Sequence, residues 1–120
     1  GSGDGRIPIT AARLYGARGV GIDIDPQRVA EANANALAAG VTGRVTFRNE
    51  DLFEADFSDA TVVTLFLTPD VNLRLRPRLL RELRPGTRIV SYWHDMGDWK
   101  PERIEPTEQA NLYLWTIPPR

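Results

Sequence analysis

Two hydrophobic rhythms take turns along this chain, one of helical period and one of strand length. Arg6 to Ala17 places Ile7, Ala11, Leu14 and Tyr15 on one helical face. Val20 to Ile24 is a short apolar run of the kind found in strands covered on both sides. A second helix is predicted from Pro26 to Ala39, with Val29, Ala32, Ala36 and Leu37 turned inward. Asp25-Pro26 opens it as N-cap and first helical position, and Gly40 stops it. Arg44 to Arg48 alternates like an outer strand, while Ala60 to Leu67, rich in β-branched and aromatic residues, is expected at the centre of a sheet. A helical turn begins at Asp70, restarts at Pro77 and closes at Pro85-Gly86, with Leu75, Leu79, Leu80 and Leu83 sharing a face. Thr87 to Trp93 and Leu112 to Ile117 read as strands, the latter paired with Arg103 to Thr107 through a hairpin around Gln109 to Asn111.

Strands alternating with helices imply an α/β fold whose parallel sheet binds ligands outside the carboxyl ends of its strands. Three candidate positions fall at such ends: Asp23, Asp51 and the His94-Asp95 pair. The chain opens on Gly1-Ser2-Gly3-Asp4-Gly5-Arg6, directly before a helix. Glycines at alternate positions let backbone turn tightly against a ligand, and the helix behind them points free N–H groups at it. A glycine loop, a helix and a strand ending in an acid form half of a nucleotide-binding βαβ unit, with the acid placed to bind ribose hydroxyls. The strand that would precede the loop is not in this sequence, which therefore reads as N-terminally truncated before or at the glycine loop. That strand is expected between Val20–Ile24 and Ala60–Leu67, so a gap or a shifted pairing is expected there.

Composition narrows the chemistry. The 120 residues, 42% apolar and 26% charged, suit a single domain spanning residues 1–120. With no cysteine and one histidine, neither a disulfide framework nor a thiolate metal site is available, and no metal is expected. A net charge of −1 argues against a general electrostatic grip on nucleic acid, and no DNA partner is expected. No apolar run has the length of a membrane span, so membrane association is not indicated and a cytoplasmic location is expected.

Five segments in order carry a family resemblance. Gly1-Ser2-Gly3-Asp4-Gly5, Gly21-Ile22-Asp23, Glu50-Asp51, Leu83-Arg84-Pro85-Gly86 and the closing hairpin resemble the successive motifs of class I S-adenosylmethionine-dependent methyltransferases. The resemblance implies a Rossmann-like, mostly parallel sheet with an antiparallel C-terminal hairpin. Within that superfamily, Gly-Ser-Gly-Asp-Gly-Arg, Asp51-Leu52-Phe53 and Asp56-Phe57-Ser58-Asp59-Ala60-Thr61-Val62-Val63 resemble a narrower group. That group is the prokaryotic relatives of the mitochondrial lysine methyltransferases that modify the ATP synthase c-subunit and the adenine-nucleotide carrier. S-adenosylmethionine is then the implied cofactor. Gly1, Gly3 and Gly5 would line its methionine and ribose portion, Asp23 would hold the ribose hydroxyls, and Asp51, preceded by Glu50, would accept from the adenine amino group. The implied partner is a protein with a target lysine. A methyltransferase for a small molecule or RNA, and a nucleotide-binding module without catalysis, remain alternatives.

The remaining candidates have two readings each. His94 and Asp95 are either catalytic or ordinary surface residues. Tyr92, Trp93 and Trp99 either wall a channel for an alkyl-ammonium side chain or belong to the core. Arg74, Arg76, Arg78, Arg81 and Arg84 meet an acidic partner, or form the solvated side of an amphipathic helix opposite the leucines. Thr68-Pro69-Asp70 follows the strand ending at Leu67, where Asn-Pro-Pro-aromatic would bind planar amino groups, and this counts against adenine, cytosine or glutamine as acceptor.

Overall fold

Glycines decide how the first half of this protein packs. The computed structural model describes all 120 residues, which divide into two compact units, Gly1–Ala55 and Asp56–Arg120. In the first unit, α1 (Arg6–Tyr15) leads to β1 (Gly19–Asp23), then α2 (Pro26–Ala38), β2 (Val45–Asn49) and a 3-10 turn at Leu52–Glu54. β1 and β2 run parallel, with Gly21 opposite Phe47 and Asp23 opposite Asn49. Alternate residues of a strand share a face, so Gly19, Gly21 and Asp23 lie on the side of Val45 and Phe47. That side holds the core, built from Ile9 and Ala12 of α1, Ala32 and Ala36 of α2, Val41, Val45 and Phe47.

Missing side chains make this close packing possible. A Cβ on Gly21 would lie 2.4 Å from Phe47 Cδ1, and one on Gly19 would lie 2.9 Å from Pro8 Cβ. Both helices therefore cover the glycine face, and the opposite face of β1 stays open. Val20 is 55% exposed and Ile24, beyond the strand's end, 70% exposed, contrary to the expected strand covered on both sides.

The helices differ from expectation in rotation and in length. Pro8 against Gly19 fixes how α1 turns, so Ile9 and Ala12 face inward while Ile7, Leu14 and Tyr15 are exposed. Gly16, at φ 68°, ends α1 two residues early, its N–H reaching the carbonyls of Ala11 and Ala12. In α2 the buried stripe is Ala32 and Ala36, small enough to approach Gly5 and Phe47, and Leu37 points to solvent. Asp25 caps the helix by accepting from the Gln27 amide, with Pro26 at the first position as expected.

In the second unit, β3 (Val62–Leu65), α3 (Pro69–Glu82), β4 (Arg88–Tyr92), β5 (Arg103–Pro106) and β6 (Asn111–Thr116) follow in turn. The sheet order is β3-β4-β6-β5, parallel between β3 and β4 and antiparallel in the C-terminal hairpin. β1 pairs only with β2, and β3 only with β4. Leu75, Leu79 and Leu83 join Leu65, Ile89, Met96, Trp115 and Ile117 in its interior. Leu80 is half-buried at the stripe's edge.

Pro77 does not restart a helix but sits within one. It removes the amide that would bond the carbonyl of Leu73, and Leu73 lies at an exposed turn where water can serve instead. Ala60–Leu67 supplies four strand residues rather than eight, and β3 lies at the edge of its sheet rather than the expected centre because it pairs with β4 alone; beyond it Thr68 caps α3 by accepting from the Val71 amide. β4 stops at Tyr92 because Trp93 turns into the left-handed region at φ 81°. Arg120 covers the other end of α3, donating to the carbonyls of Leu80, Arg81 and Leu83. No helix is long and apolar enough to cross a membrane.

Candidate functional site

The glycine loop hangs on the carboxyl end of β1. The Gly1 and Ser2 nitrogens both donate to the Ile22 carbonyl, at 2.9 and 3.0 Å. The Gly3 amide donates to Oδ2 of Asp23 at 2.9 Å, and the Gly5 amide returns to the Ser2 carbonyl at 3.1 Å. Asn35 of α2 holds the loop from the side by donating to the Asp4 carbonyl at 3.0 Å.

The loop glycines do different work. Gly5, at φ 81°, is a packing glycine: a Cβ there would stand 2.6 Å from Phe47 Cζ and 3.0 Å from Ala32 Cβ. Gly3, at φ 57°, faces open space, with nothing within 4 Å of where a Cβ would be. Beside it, the Ser2 hydroxyl is buried without a partner.

Asp23 is held as a carboxylate. One oxygen accepts from Gly3 and the other from the Asp25 amide at 3.0 Å. Burial opposes its charge, but those amides and Arg28 help outweigh it and the carboxyl stays below its ordinary value of 3.8. Each oxygen keeps a lone pair free for a further donor.

Asp51 reaches the same end of the sheet through a residue that the sequence pattern does not single out. The Asn49 side-chain amide donates to the carbonyls of Asp23 and Ile24, at 3.1 and 2.9 Å, and the Glu50 amide donates to Asp23 at 3.2 Å. Asp51 then caps the 3-10 turn by accepting from Phe53 at 3.0 Å and is otherwise exposed. The only sequence signal for Asn49 is its place immediately before the acid pair. Replacing it with alanine is expected to lower folding stability by roughly 1 kcal/mol, seen as a lower thermal midpoint, and to weaken S-adenosylhomocysteine binding by calorimetry through the displaced Glu50-Asp51 segment.

His94 and Asp95 fall in the second unit and part company there. His94 is half-buried and lines a cavity of about 370 Å³ at the carboxyl ends of β3 and β4, with Phe66, Tyr92 and Trp93. Asp95 is exposed, and its carboxylate closes a turn by accepting from the Gly97 amide. Trp99 is not among the residues lining that cavity: it packs on Trp115, whose indole N–H donates to the Trp99 carbonyl at 2.8 Å.

The arginines of α3 and of the segment just after it are not uniformly solvated. Arg78 lies over the Phe57 ring and grips Glu82 with two hydrogen bonds, at 2.7 and 2.9 Å. Arg76 pairs with Asp98, Arg81 with Glu82 and Arg84 with Asp59.

A glycine loop bound to the end of a parallel strand, and an ionised aspartate there with acceptor capacity to spare, define a Rossmann-like nucleotide-binding site. The chain belongs to the family of the ANTKMT methyltransferase domain, whose model matches residues 1–103. It is 44% identical to a protein-lysine N-methyltransferase of Saccharolobus islandicus over 98% of this chain and 76% of that protein. It is 35% identical to the human ATP synthase c-subunit lysine N-methyltransferase over 87% of its own length, but spans only 44% of that protein. Its fold superposes with a TM-score of 0.97, at 58% identity, on an RNA methyltransferase from Salinibacter ruber in complex with S-adenosyl-L-homocysteine, covering all of this chain and 78% of that one.

The residues at the loop fit this cofactor. The open side of Gly3 gives room for a ligand against the backbone, and the free lone pairs of Asp23 suit two adjacent hydroxyls. The unpartnered Ser2 hydroxyl offers a further polar contact.

Proposed function

We propose that the domain holds S-adenosylmethionine on its first unit and transfers the methyl group to the ε-amine of a protein lysine. In this reading Asp23 binds the ribose hydroxyls, Gly1, Gly3 and Gly5 shape the loop along the methionine and ribose, and Asp51 accepts from the adenine amino group. When bound, the sulfonium supplies an already activated methyl group, so the protein has to align the acceptor and let its ammonium shed a proton. His94 rather than Asp95 is the candidate to receive that proton, because its ring lines the cavity whereas Asp95 is engaged in a turn.

The Salinibacter relative is described as acting on RNA and the Saccharolobus one on protein lysine, so sequence likeness leaves two acceptors in play. The observation that favours lysine is the pairing of the arginines. An RNA surface needs cations free to neutralise phosphates. Arg76 on α3 is paired with Asp98, Arg78 and Arg81 share Glu82, Arg84 just past the helix pairs with Asp59, and the chain's net charge is −1.

The test is to incubate the protein with isotopically labelled S-adenosylmethionine and separate pools of cell protein and RNA. Methyl-lysine is expected in hydrolysed protein by mass spectrometry. Label confined to RNA nucleosides would overturn the assignment.

A further inference from the structure

One residue is strained in a way that no turn chemistry explains. Trp93 is the only non-glycine residue at positive φ, and a bulky side chain there is a genuine outlier. Such strain persists only where surrounding contacts impose it, and it gathers at functional sites.

The contacts that impose it come from a buried amide. Asn72 lies in the leucine stripe of α3, fully buried, one turn before Leu75. Its Nδ2 reaches Ser91 Oγ and the carbonyls of His94 and Asp95, each at 3.2 Å. Ser91 donates in turn to the His94 carbonyl at 2.6 Å, and the Trp93 amide donates to Asn111 at 2.9 Å. Trp93 is thereby held between two anchored neighbours. A polar side chain with an unsatisfied Oδ1 in an apolar stripe destabilises the core, so its placement calls for a compensating role.

What the turn presents is an aromatic corner. Phe66 and Tyr92 stack with centroids 5.1 Å apart, and Trp93 stands at 89° to Tyr92, 6.0 Å away. The His94 ring stacks on Trp93 at 6.3 Å, and the Tyr92 hydroxyl is tied to Gln109 at 2.9 Å. Phe66 and Trp93 are each 54% exposed, an unfavourable arrangement for a surface with no ligand to cover it. The cavity wall contains no carboxylate, lysine or arginine. An occupant bearing phosphate would find the His94 imidazole but no fixed cation there, whereas an alkyl-ammonium group would find several aromatic rings.

We infer that this cavity receives the side chain of the acceptor lysine, with Phe66, Tyr92 and Trp93 as its aromatic walls and Asn72 as the positioning residue that keeps Trp93 in its turn. The inference rests on the lysine reading above and adds where that lysine binds.

The test uses the whole chain and two readouts. In ¹⁵N-edited spectra, with the Trp93 indole signal assigned through Trp93→Phe, Nα-acetyl-lysine methylamide is expected to shift Trp93. The norleucine counterpart, equally long but uncharged, is expected to leave it in place. A shift with uridine or adenosine monophosphate and none with the lysine probe would overturn the inference in favour of RNA. In turnover assays, Trp93→Ala and Asn72→Ala are expected to raise KM for the protein acceptor about tenfold or more, with S-adenosylhomocysteine affinity unchanged. Phe66→Ala, at an exposed ring, serves as a second variant that keeps the core intact. Unaltered acceptor KM in Trp93→Ala and Phe66→Ala, with lysine still methylated, would remove the cavity but leave the lysine reading standing. Absence of any lysine methylation by the unaltered protein would overturn that reading instead.

Discussion

Asp23→Ala is expected to lower affinity for S-adenosylhomocysteine by about ten- to a hundredfold, the equivalent of roughly 1.5–3 kcal/mol for charge-assisted hydrogen bonds. The effect has two sources. The substitution removes the acceptor proposed for the ribose hydroxyls, and it also frees the Gly3 amide, which ties the glycine loop to β1. Asp51→Ala is expected to cost less, because Asp51 is exposed and one of its oxygens is engaged in capping the Leu52–Glu54 turn. Calorimetry on the two variants checks the ranking, and a larger loss at Asp51 would reverse the assignment of the acids.

Asp23 also leaves a signature in acid. Its carboxyl is held below 3.8 in the folded protein, so its contribution to folding is present above that value and is lost as pH falls through the lowered one. Asp23→Asn is expected to flatten this part of the acid limb in urea unfolding measured against pH. Between neutral pH and about pH 5, ligand affinity of the unaltered protein is expected to be independent of this group.

The second large effect is expected at Gly21, which touches no proposed ligand. Gly21→Ala brings a methyl group to 2.4 Å from Phe47 Cδ1 and 2.9 Å from Ser2 Cβ, contacts that require the ring or the loop to move. Overpacking of this kind costs about 1–3 kcal/mol and is expected to appear as a lower urea midpoint. Since the ring is the obstacle, Phe47→Leu combined with Gly21→Ala is expected to destabilise less than the sum of the two single changes. Strict additivity in that cycle would show that Phe47 is not the contact that matters.

The glycine loop, the order of elements and the placement of Asp23 were legible because each depends on neighbours in sequence. Proline after an N-cap and glycine after a helix act within a turn or two, so both ends of α2 were read closely. Phe47 could not be anticipated as the reason for Gly5 and Gly21, because the chain distance between them hides a contact that only the parallel register creates. The rotation of α1 was missed for the same reason: Ile7, Leu14 and Tyr15 form a plausible apolar face, and only Pro8 against Gly19 selects the other one. Asn72 continues the spacing of Leu75 and Leu79 as a polar residue. Its role became visible only with the carbonyls it reaches across the unit.

The division at Ala55 sets an order of synthesis. Every residue proposed to hold the cofactor lies between Gly1 and Asp51, and the proposed acceptor pocket begins at Phe66. A ribosome has therefore joined all of the donor side before it adds the first acceptor-side residue, and domains tend to fold N-terminal first during translation. The side-chain hydrogen bonds within that donor side span at most 31 residues, from Asp4 to Asn35, a separation short enough to favour rapid closure. On the proposed assignment of the two sites, synthesis of the chain follows the sequence of the reaction, methyl donor before methyl acceptor.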